Sequence, residues 1–371
     1  MVGLYLDRSE LYNCVTLSKD LLCVFTPHLW KYVQILCPPR KPFRHTFRSI
    51  PTQEQRDTWF QKLKRSIEAG GLDRNGQYVQ NFDCERYEAV ELLAARGETC
   101  KGIKVLKLGS YPNPDVPSPK SRKFAYVPPL NLSPLILILK RNIHLRHLTL
   151  VGRMLDEKNY DFFQLLQDIP RSIVLLALKD WDPIKGKRGY NRDLRAKEYE
   201  LGNNSEMDLE EQDGQVDIRF PHLKELCFSD YAIDFNKRTT EYILKNVPGL
   251  ELLYLGDTYQ PIPLKPLSKL LSRYCPKVVH LSLLHWTGCF DSELAELMDS
   301  GKAGWRTLDL STVGNHRDES EFGPLSMAAL LKHGPTLENV YIDCSRKFSD
   351  LECQVLFRTA PNLQRLHTYG V

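Results

Sequence analysis

The sequence predicts an α/β solenoid, in which curved parallel strands line the inside of an array and helices cover its outside. Three observations predict it. An apolar-x-x-apolar-x-apolar pattern recurs along the chain, proline precedes many copies at a fixed distance, and a stretch with helical apolar spacing precedes each of those prolines. A long chain built from one repeated helix–strand unit is typical of such arrays.

The apolar pattern is repeated at a nearly constant interval. Seven of the nine intervals between its first positions are 24 to 32 residues long. Chance produces isolated triplets in an apolar-rich chain, but not a run at this spacing. The pattern therefore predicts about ten short strands, one per repeat. Its first positions are Val79, Ile103, Leu145, Ile173, Leu223, Leu250, Val278, Trp305, Leu337 and Leu363.

Proline stands two residues before the first apolar position in five of the repeats. Proline cannot continue a helix and it favours extended backbone, so it is expected where a helix gives way to a strand. Each unit is then a helix, a proline turn, a short strand and a loop. The five prolines are Pro221, Pro248, Pro276, Pro335 and Pro361.

This pattern resembles a leucine-rich-repeat array of the long-repeat kind, and the resemblance covers residues 79 to 371. We assign residues 71–371 to the array, with insertions at 111–129 and 182–217. The first insertion is rich in proline, and the second is a basic block followed by an acidic block. Neither composition favours a packed core, so both are expected as loops outside the stack.

Two shorter regions precede the array. Residues 1–36 have apolar residues at helical intervals, with Ser9 as a candidate cap and a second short helix expected from Pro27. Residues 37–70 are predicted to be a basic, proline-rich linker followed by a capping helix from about residue 52 to 68. The buried face of that helix is predicted to carry Trp59, Phe60, Leu63 and Ile67.

Part of residues 1–36 is similar to the second half of an F-box. The matching residues are Glu10-Leu11, Cys14, Leu17-Ser18-Lys19, Phe25 and Pro27-His28-Leu29-Trp30. F-box/leucine-rich-repeat proteins of the fungal type join these two parts in this order. The Leu-Pro-containing helix that opens an F-box has no counterpart here, so the resemblance is to an F-box truncated at its N-terminus.

The resemblance implies a function in protein recognition. In that family the F-box binds a Skp-type adaptor and, through it, a cullin complex, and the repeats bind the protein substrate. We therefore expect a substrate-receptor subunit of a cullin-type, SCF-like ubiquitin ligase. The alternative is a repeat scaffold with a degenerate F-box and no ubiquitin role, its N-terminal segment only a helical cap. The expected adaptor-binding residues are Leu11, Leu17, Phe25, Pro27, Leu29 and Trp30.

The substrate is expected on the concave face of the strands. Side chains alternate across a strand, so the third, fifth and seventh motif positions face away from the core. Tyrosine is common among binding hot spots, and the carboxylates of Asp309 and Asp343 could attract a basic peptide. The alternative is an ordinary mixed-charge surface. The candidate substrate-binding residues are Tyr254, His280, Asp309, Tyr341, Asp343 and Arg365.

Other function classes are not favoured by the sequence. Lys+Arg minus Asp+Glu is 50 − 46, a net charge of +4, which makes nucleic-acid binding unlikely. The most apolar stretch, 130–139, is too short for a membrane span. We find no catalytic motif, metal-ligand spacing or cofactor site, so we expect no enzyme activity, no metal and no cofactor. Ten cysteines without a C-x-x-C motif or a secretion signal favour a cytoplasmic or nuclear location.

Overall fold

The computed structural model describes residues 13, 16–35, 53–84, 86, 88–109, 132–151, 162–179, 220–229, 237–256, 263–283, 290–310, 322–343 and 348–369. Both predicted insertions, 111–129 and 182–217, lie outside these ranges. Every strand in the described ranges belongs to one parallel sheet of 11 strands, and the strand order follows the sequence. The protein is a leucine-rich-repeat solenoid, and the predicted fold class is confirmed.

The elements alternate along the array. The strands are β1 Tyr32–Ile35, β2 Asn81–Cys84, β3 Val105–Gly109, β4 His147–Val151, β5 Leu175–Lys179, β6 Glu225–Ser229, β7 Leu252–Leu255, β8 His280–Leu283, β9 Thr307–Leu310, β10 Asn339–Asp343 and β11 Arg365–Tyr369. The α-helices are α1 Lys19–Lys31, α2 Gln53–Glu68, α3 Gly71–Asn75, α4 Glu88–Arg96, α5 Leu132–Arg141, α6 Phe162–Asp168, α7 Lys237–Lys245, α8 Leu264–Tyr274, α9 Asp291–Asp299, α10 Pro324–Lys332 and α11 Asp350–Thr359. Two single-turn 3₁₀ helices cover Gly76–Tyr78 and Gly334–Thr336.

The apolar triplet of each repeat faces the helices. In the repeat of β8, Val278 is 2% exposed and Leu281 is 0% exposed. The register places Leu281 beside Leu253 on one side and Leu308 on the other. Full burial of one such side chain stabilises the fold by about 1.5–3 kcal/mol. Because neighbouring repeats contribute to this burial, the array is stable only as a stack.

A turn with proline at its second position leads into the strand at each predicted proline. In the turn 275–278 the N–H of Val278 donates to the carbonyl of Cys275, with an N···O distance of 3.2 Å. Pro276 occupies the second position of this turn, where the fixed φ of proline is favoured. The prolines therefore mark the switch from helix to strand because they shape the turn itself. The same hydrogen bond closes the turns 220–223, 247–250, 334–337 and 360–363.

The N-terminal segment differs from the expectation in two ways. Helix α1 runs from Lys19 through Pro27 to Lys31, so no helix begins at Pro27, where a second short helix was expected. Its cap is Ser18, whose hydroxyl accepts a hydrogen bond from the N–H of Leu21. After α1 the chain forms β1, which pairs in parallel with β2. Val33 lies in this strand and is 3% exposed. The segment therefore extends the sheet of the array.

The capping helix is found at 53–68, close to its predicted bounds. Phe60 and Ile67 are buried in the core shared with the first repeats, and Leu63 packs against that core. Trp59 is 41% exposed, so its predicted place on the buried face is wrong. The reason is geometric: residues 60, 63 and 67 follow the 3–4 spacing of one helix face, and residue 59 lies beside that face.

One helix start is capped by the preceding repeat. The carboxylate of Asp291, the first residue of α9, accepts hydrogen bonds from the N–H groups of Gly323 (2.8 Å), Leu325 (3.0 Å) and Ser326 (2.8 Å). The Ser326 hydroxyl donates to the same carboxylate. These amides belong to the first turn of α10, where backbone donors have no partner within the helix. Burial raises the pKa of Asp291, but these hydrogen bonds outweigh it and hold the pKa below its usual value.

We expect Asp291→Ala to lower the free energy of unfolding by about 1–2 kcal/mol at neutral pH, because three amides lose their acceptor. The lowered pKa gives the sign of the pH dependence. The contribution is complete above the usual value of 3.8 and is lost as the pH falls through the lower, folded-state pKa. Urea unfolding of wild type and variant at pH 7 and at about pH 3 measures both effects.

The matched control is Asp299→Ala, which removes only an exposed ion pair with Lys332 at 2.7 Å. Such pairs contribute about 0–1 kcal/mol, so this variant should be the milder of the two. If Asp291→Ala is as stable as wild type at pH 7, the cross-repeat cap is not a stabilising contact.

Candidate functional site

The strands present two rows of side chains on the face of the sheet opposite the helices, which we call the open face. In β7 and β8 the burial alternates, with Leu253 and Leu255 buried and their neighbours half-buried. The register aligns equivalent positions on successive strands. The tyrosine row is Tyr254, Ser282, Asp309, Tyr341 and His367, and the histidine row is Leu252, His280, Thr307, Asn339 and Arg365.

Hydrogen bonds and ring contacts join the members of the tyrosine row. The Ser282 hydroxyl donates to Asp309 Oδ2 at 3.1 Å. The ring of Tyr341 lies 6.2 Å from the ring of His367, centroid to centroid. Arg365 reaches across from the histidine row and donates to the Tyr341 hydroxyl at 3.5 Å. These contacts hold the side chains in place before any partner binds, which lowers the entropic cost of binding.

A glycine makes room for Tyr254. A Cβ atom built at Gly256 would lie 2.9 Å from Cε1 and 3.0 Å from the hydroxyl oxygen of that tyrosine. The Tyr254 ring therefore leans over the backbone at the end of β7. Gly256 is itself fixed by a hydrogen bond from its N–H to the carbonyl of Phe228, at 2.7 Å. The sequence reasoning did not identify Gly256, because a single glycine after a strand has no distinctive spacing.

His280 is the residue of this face whose pKa is shifted by its surroundings. Burial lowers its pKa, and the neighbouring Arg306 lowers it further. Glu338, Glu225 and Glu251 act in the opposite direction without reversing the shift. The lowered pKa favours the neutral imidazole, which can both donate and accept a hydrogen bond.

The structure brings most of the predicted substrate-binding residues together. Tyr254, His280, Asp309, Tyr341 and Arg365 all occupy the two rows. Asp343 lies in β10 opposite Tyr369, one step further along the strand. The residue directly opposite Asp309 is Tyr341 rather than Asp343, so a carboxylate is paired there with an aromatic side chain.

The predicted adaptor-binding residues are divided between the surface and the interior. Leu17, just before α1, is 75% exposed, whereas Phe25 is 8% exposed. Pro27 and Leu29 are half-buried, and Leu11 lies outside the described residues. Trp30 packs against the core of the array.

The inward position of Trp30 fixes the helix on the array. A Cβ atom at Gly71 would lie 2.8 Å from the Trp30 ring, so this glycine lets the ring approach α3 closely. Trp30 therefore acts as the anchor of α1. The exposed apolar side chains of the helix are others, namely Leu22 at 45% and Val24 at 58%.

The described residues contain no group of three His, Cys, Asp or Glu side chains that could hold a metal ion. In the same ranges, no helix is both long and apolar enough to cross a membrane. What the two rows offer chemically is a set of aromatic rings, the carboxylate of Asp309, the guanidinium of Arg365 and further hydrogen-bonding groups.

Comparisons with known proteins find a similarity among solved structures. No protein-family model matches the chain, and no curated protein matches it, so the F-box resemblance rests on the quoted residues alone. Among solved structures, the yeast complex of Rad7 and Elc1 matches with a TM-score of 0.38 and 14% sequence identity, over 84% of each chain. A similarity this low carries no inference about function.

We expect the pKa of His280 to lie below 6.5 and to change in opposite directions when a basic or an acidic neighbour is removed. Arg306→Gln should raise it, because a positive charge that disfavours the imidazolium is removed. Glu338→Gln should lower it further. Nuclear magnetic resonance titration of the His280 ring protons measures all three values. Lys332→Gln, on the distant helix α10, is the control and should leave the pKa unchanged.

Proposed function

We propose that the chain is a protein-recognition subunit and that the open face of β7 to β11 holds its protein substrate. The observation that carries this proposal is the tyrosine row, in which two aromatic side chains flank a hydrogen-bonded serine and carboxylate. Tyr254 and Tyr341 are three strands apart, about 14 Å at the usual strand spacing. A partner segment that covers both rings would place a polar or basic side chain on Asp309.

The energetics of such a contact favour protein over small-molecule recognition. Tyrosine provides a large apolar surface and a polar tip with little conformational entropy to lose, and it is enriched among interface hot spots. The open face is an extended surface, whereas small ligands usually bind in concave cavities.

We further propose that α1 docks on a Skp-type adaptor, which would make the chain a substrate receptor of a cullin-type, SCF-like ubiquitin ligase. The F-box resemblance supports this, and so do the exposed apolar side chains of Leu17, Leu22 and Val24 in a segment whose Trp30 packs against the core of the array. Exposed apolar side chains on an element that is fixed to a folded array are available for contact with a partner. The alternative remains a repeat scaffold without a ubiquitin role.

Co-purification with a Skp-type adaptor tests the ligase proposal. We expect stoichiometric capture by the intact chain and loss of capture in the double variant Leu17→Asp/Val24→Asp, because charges would be placed on the apolar contact surface. Trp59→Asp is the matched control, since Trp59 is an exposed apolar residue of α2 outside the docking surface. If the intact chain captures no adaptor, the ligase proposal fails and the scaffold alternative is favoured.

Substrate recognition is tested separately by comparing the proteins that wild type and an open-face variant retain. Tyr341→Ala/Asp309→Ala should weaken substrate binding about 30-fold or more, as expected for a hot spot, and should leave adaptor capture intact. Lys107→Ala/Thr149→Ala changes equivalent positions of β3 and β4 and serves as the control. Quantitative mass spectrometry should show proteins that the first variant loses and the control retains. Equal losses in both variants would contradict the assignment of the binding face.

A further inference from the structure

The turns that precede four successive strands carry basic side chains and no acidic ones. In four repeats these turns are residues 100–104, 142–146, 170–174 and 220–224, and the printed sequence contains no Asp or Glu in any of them. All the basic and imidazole side chains at their tips are exposed. We call the first six of these side chains the basic ridge: Lys101, Lys104, His144, Arg146, Arg171 and His222.

Backbone hydrogen bonds hold the ridge together. The N–H of Arg146 donates to the carbonyl of Lys104 at 2.8 Å, and the N–H of Val174 donates to the carbonyl of Arg146 at 2.7 Å. The Ser172 hydroxyl donates to the carbonyls of Ile143 and Leu145 in the preceding turn, both at 2.7 Å. The basic side chains therefore project from a hydrogen-bonded backbone where β3 to β6 begin.

The charges of the ridge are not neutralised by the array. Within the described residues, Lys101, Lys104, Arg146 and Arg171 form no ion pair with a carboxylate. The ridge ends before Lys224, because the ammonium group of this residue forms an ion pair with Glu251 of the next turn at 2.7 Å. Further along the array, Arg306 lies 3.9 Å from Glu338 in the same way.

Stabilisation of helix ends does not explain why the ridge is basic. Basic residues in the last turn of a helix interact favourably with its dipole, but the effect is confined to that turn. Helix α4 ends at Arg96 and α5 ends at Arg141. Lys104 and Arg146 are the last residues of the turns that follow, directly before β3 and β4, so neither completes a helix end.

We propose that the basic ridge binds a short acidic segment of a partner protein. The four turns span three strand steps, about 14 Å, which is the length of four to five extended residues. Four unpaired Lys and Arg side chains match the charge of such a segment. This surface is separate from the open face and does not depend on the ligase proposal.

The dimensions favour an acidic peptide over nucleic acid. Strong non-specific binding to duplex DNA rests on about 6–10 phosphate contacts, more than the ridge offers. Single-stranded nucleic acids are usually held by aromatic side chains on which bases stack. The six ridge side chains include no Phe, Tyr or Trp.

The test uses fluorescence anisotropy of a labelled hexaglutamate peptide with the full chain at about 0.01 M salt, where charges act over about 30 Å. We expect saturable binding that salt weakens. The double variant Lys104→Glu/Arg146→Glu should weaken it by about tenfold or more, since two attractions become repulsions. The control Lys277→Glu/Lys302→Glu changes the net charge equally in later turns and should alter affinity by less than about twofold. Thermal unfolding checks that both variants fold.

Several outcomes would overturn the proposal. Absence of hexaglutamate binding, or equal weakening by both double variants, would show that the ridge is not a site. Tighter binding of a 12-base-pair DNA duplex than of the peptide at the same salt would identify nucleic acid as the occupant. A chain in which the eight acidic residues between 198 and 217 are changed to amides should bind the peptide unchanged. Much tighter binding by that chain would identify its own acidic block as the occupant.

Discussion

The in-register stacking of the apolar triplets is the constraint on which the rest of the structure depends. Each repeat buries its triplet against its own helix and against the triplets on both sides, as Leu281 does between Leu253 and Leu308. A shift of one residue in any strand would turn its apolar side chains to the open face and its polar ones to the core. The register is therefore strongly determined, and it places every other side chain of the strands.

The two rows of the open face follow from that constraint. Because the core positions alternate with the open positions, the apolar triplet alone decides which residues become neighbours across strands. The side chains between the triplet positions are not part of the buried core. Stacking of the repeats therefore does not require a cluster such as Ser282, Asp309 and Tyr341. Its side chains are nevertheless held by one another, through the hydrogen bond to Asp309 and the contact of Arg365 with Tyr341.

Much of this could be predicted from the sequence, because the repeat converts spacing directly into position. The triplets give the strands and their order, the five prolines give the turns, and the alternation gives the open face. β1 was not predicted, since its sequence Tyr32–Ile35 lacks the triplet and directly follows a helix. The continuation of α1 through Pro27, the exposed Trp59 and the close approach of Tyr254 to Gly256 depend on packing between segments, which cannot be read from the periodicity of the sequence.

The net charge of the chain, like its periodicity, does not show where the fold places individual charged residues. A net charge of +4 on 371 residues predicts no strong field. The fold brings the turns of successive repeats to one edge, so residues about 25 to 50 positions apart in the sequence become backbone neighbours there. The backbones of Lys104 and Arg146 are joined by a hydrogen bond across such an interval.

The later turns show that this position can also carry a negative charge. There a glutamate occupies the equivalent position and pairs with the basic residue of the preceding turn, as Glu251 pairs with Lys224. The stack therefore tolerates either sign of charge at this position. Folding alone does not account for four consecutive turns without a carboxylate, and for that reason we assign the ridge to binding.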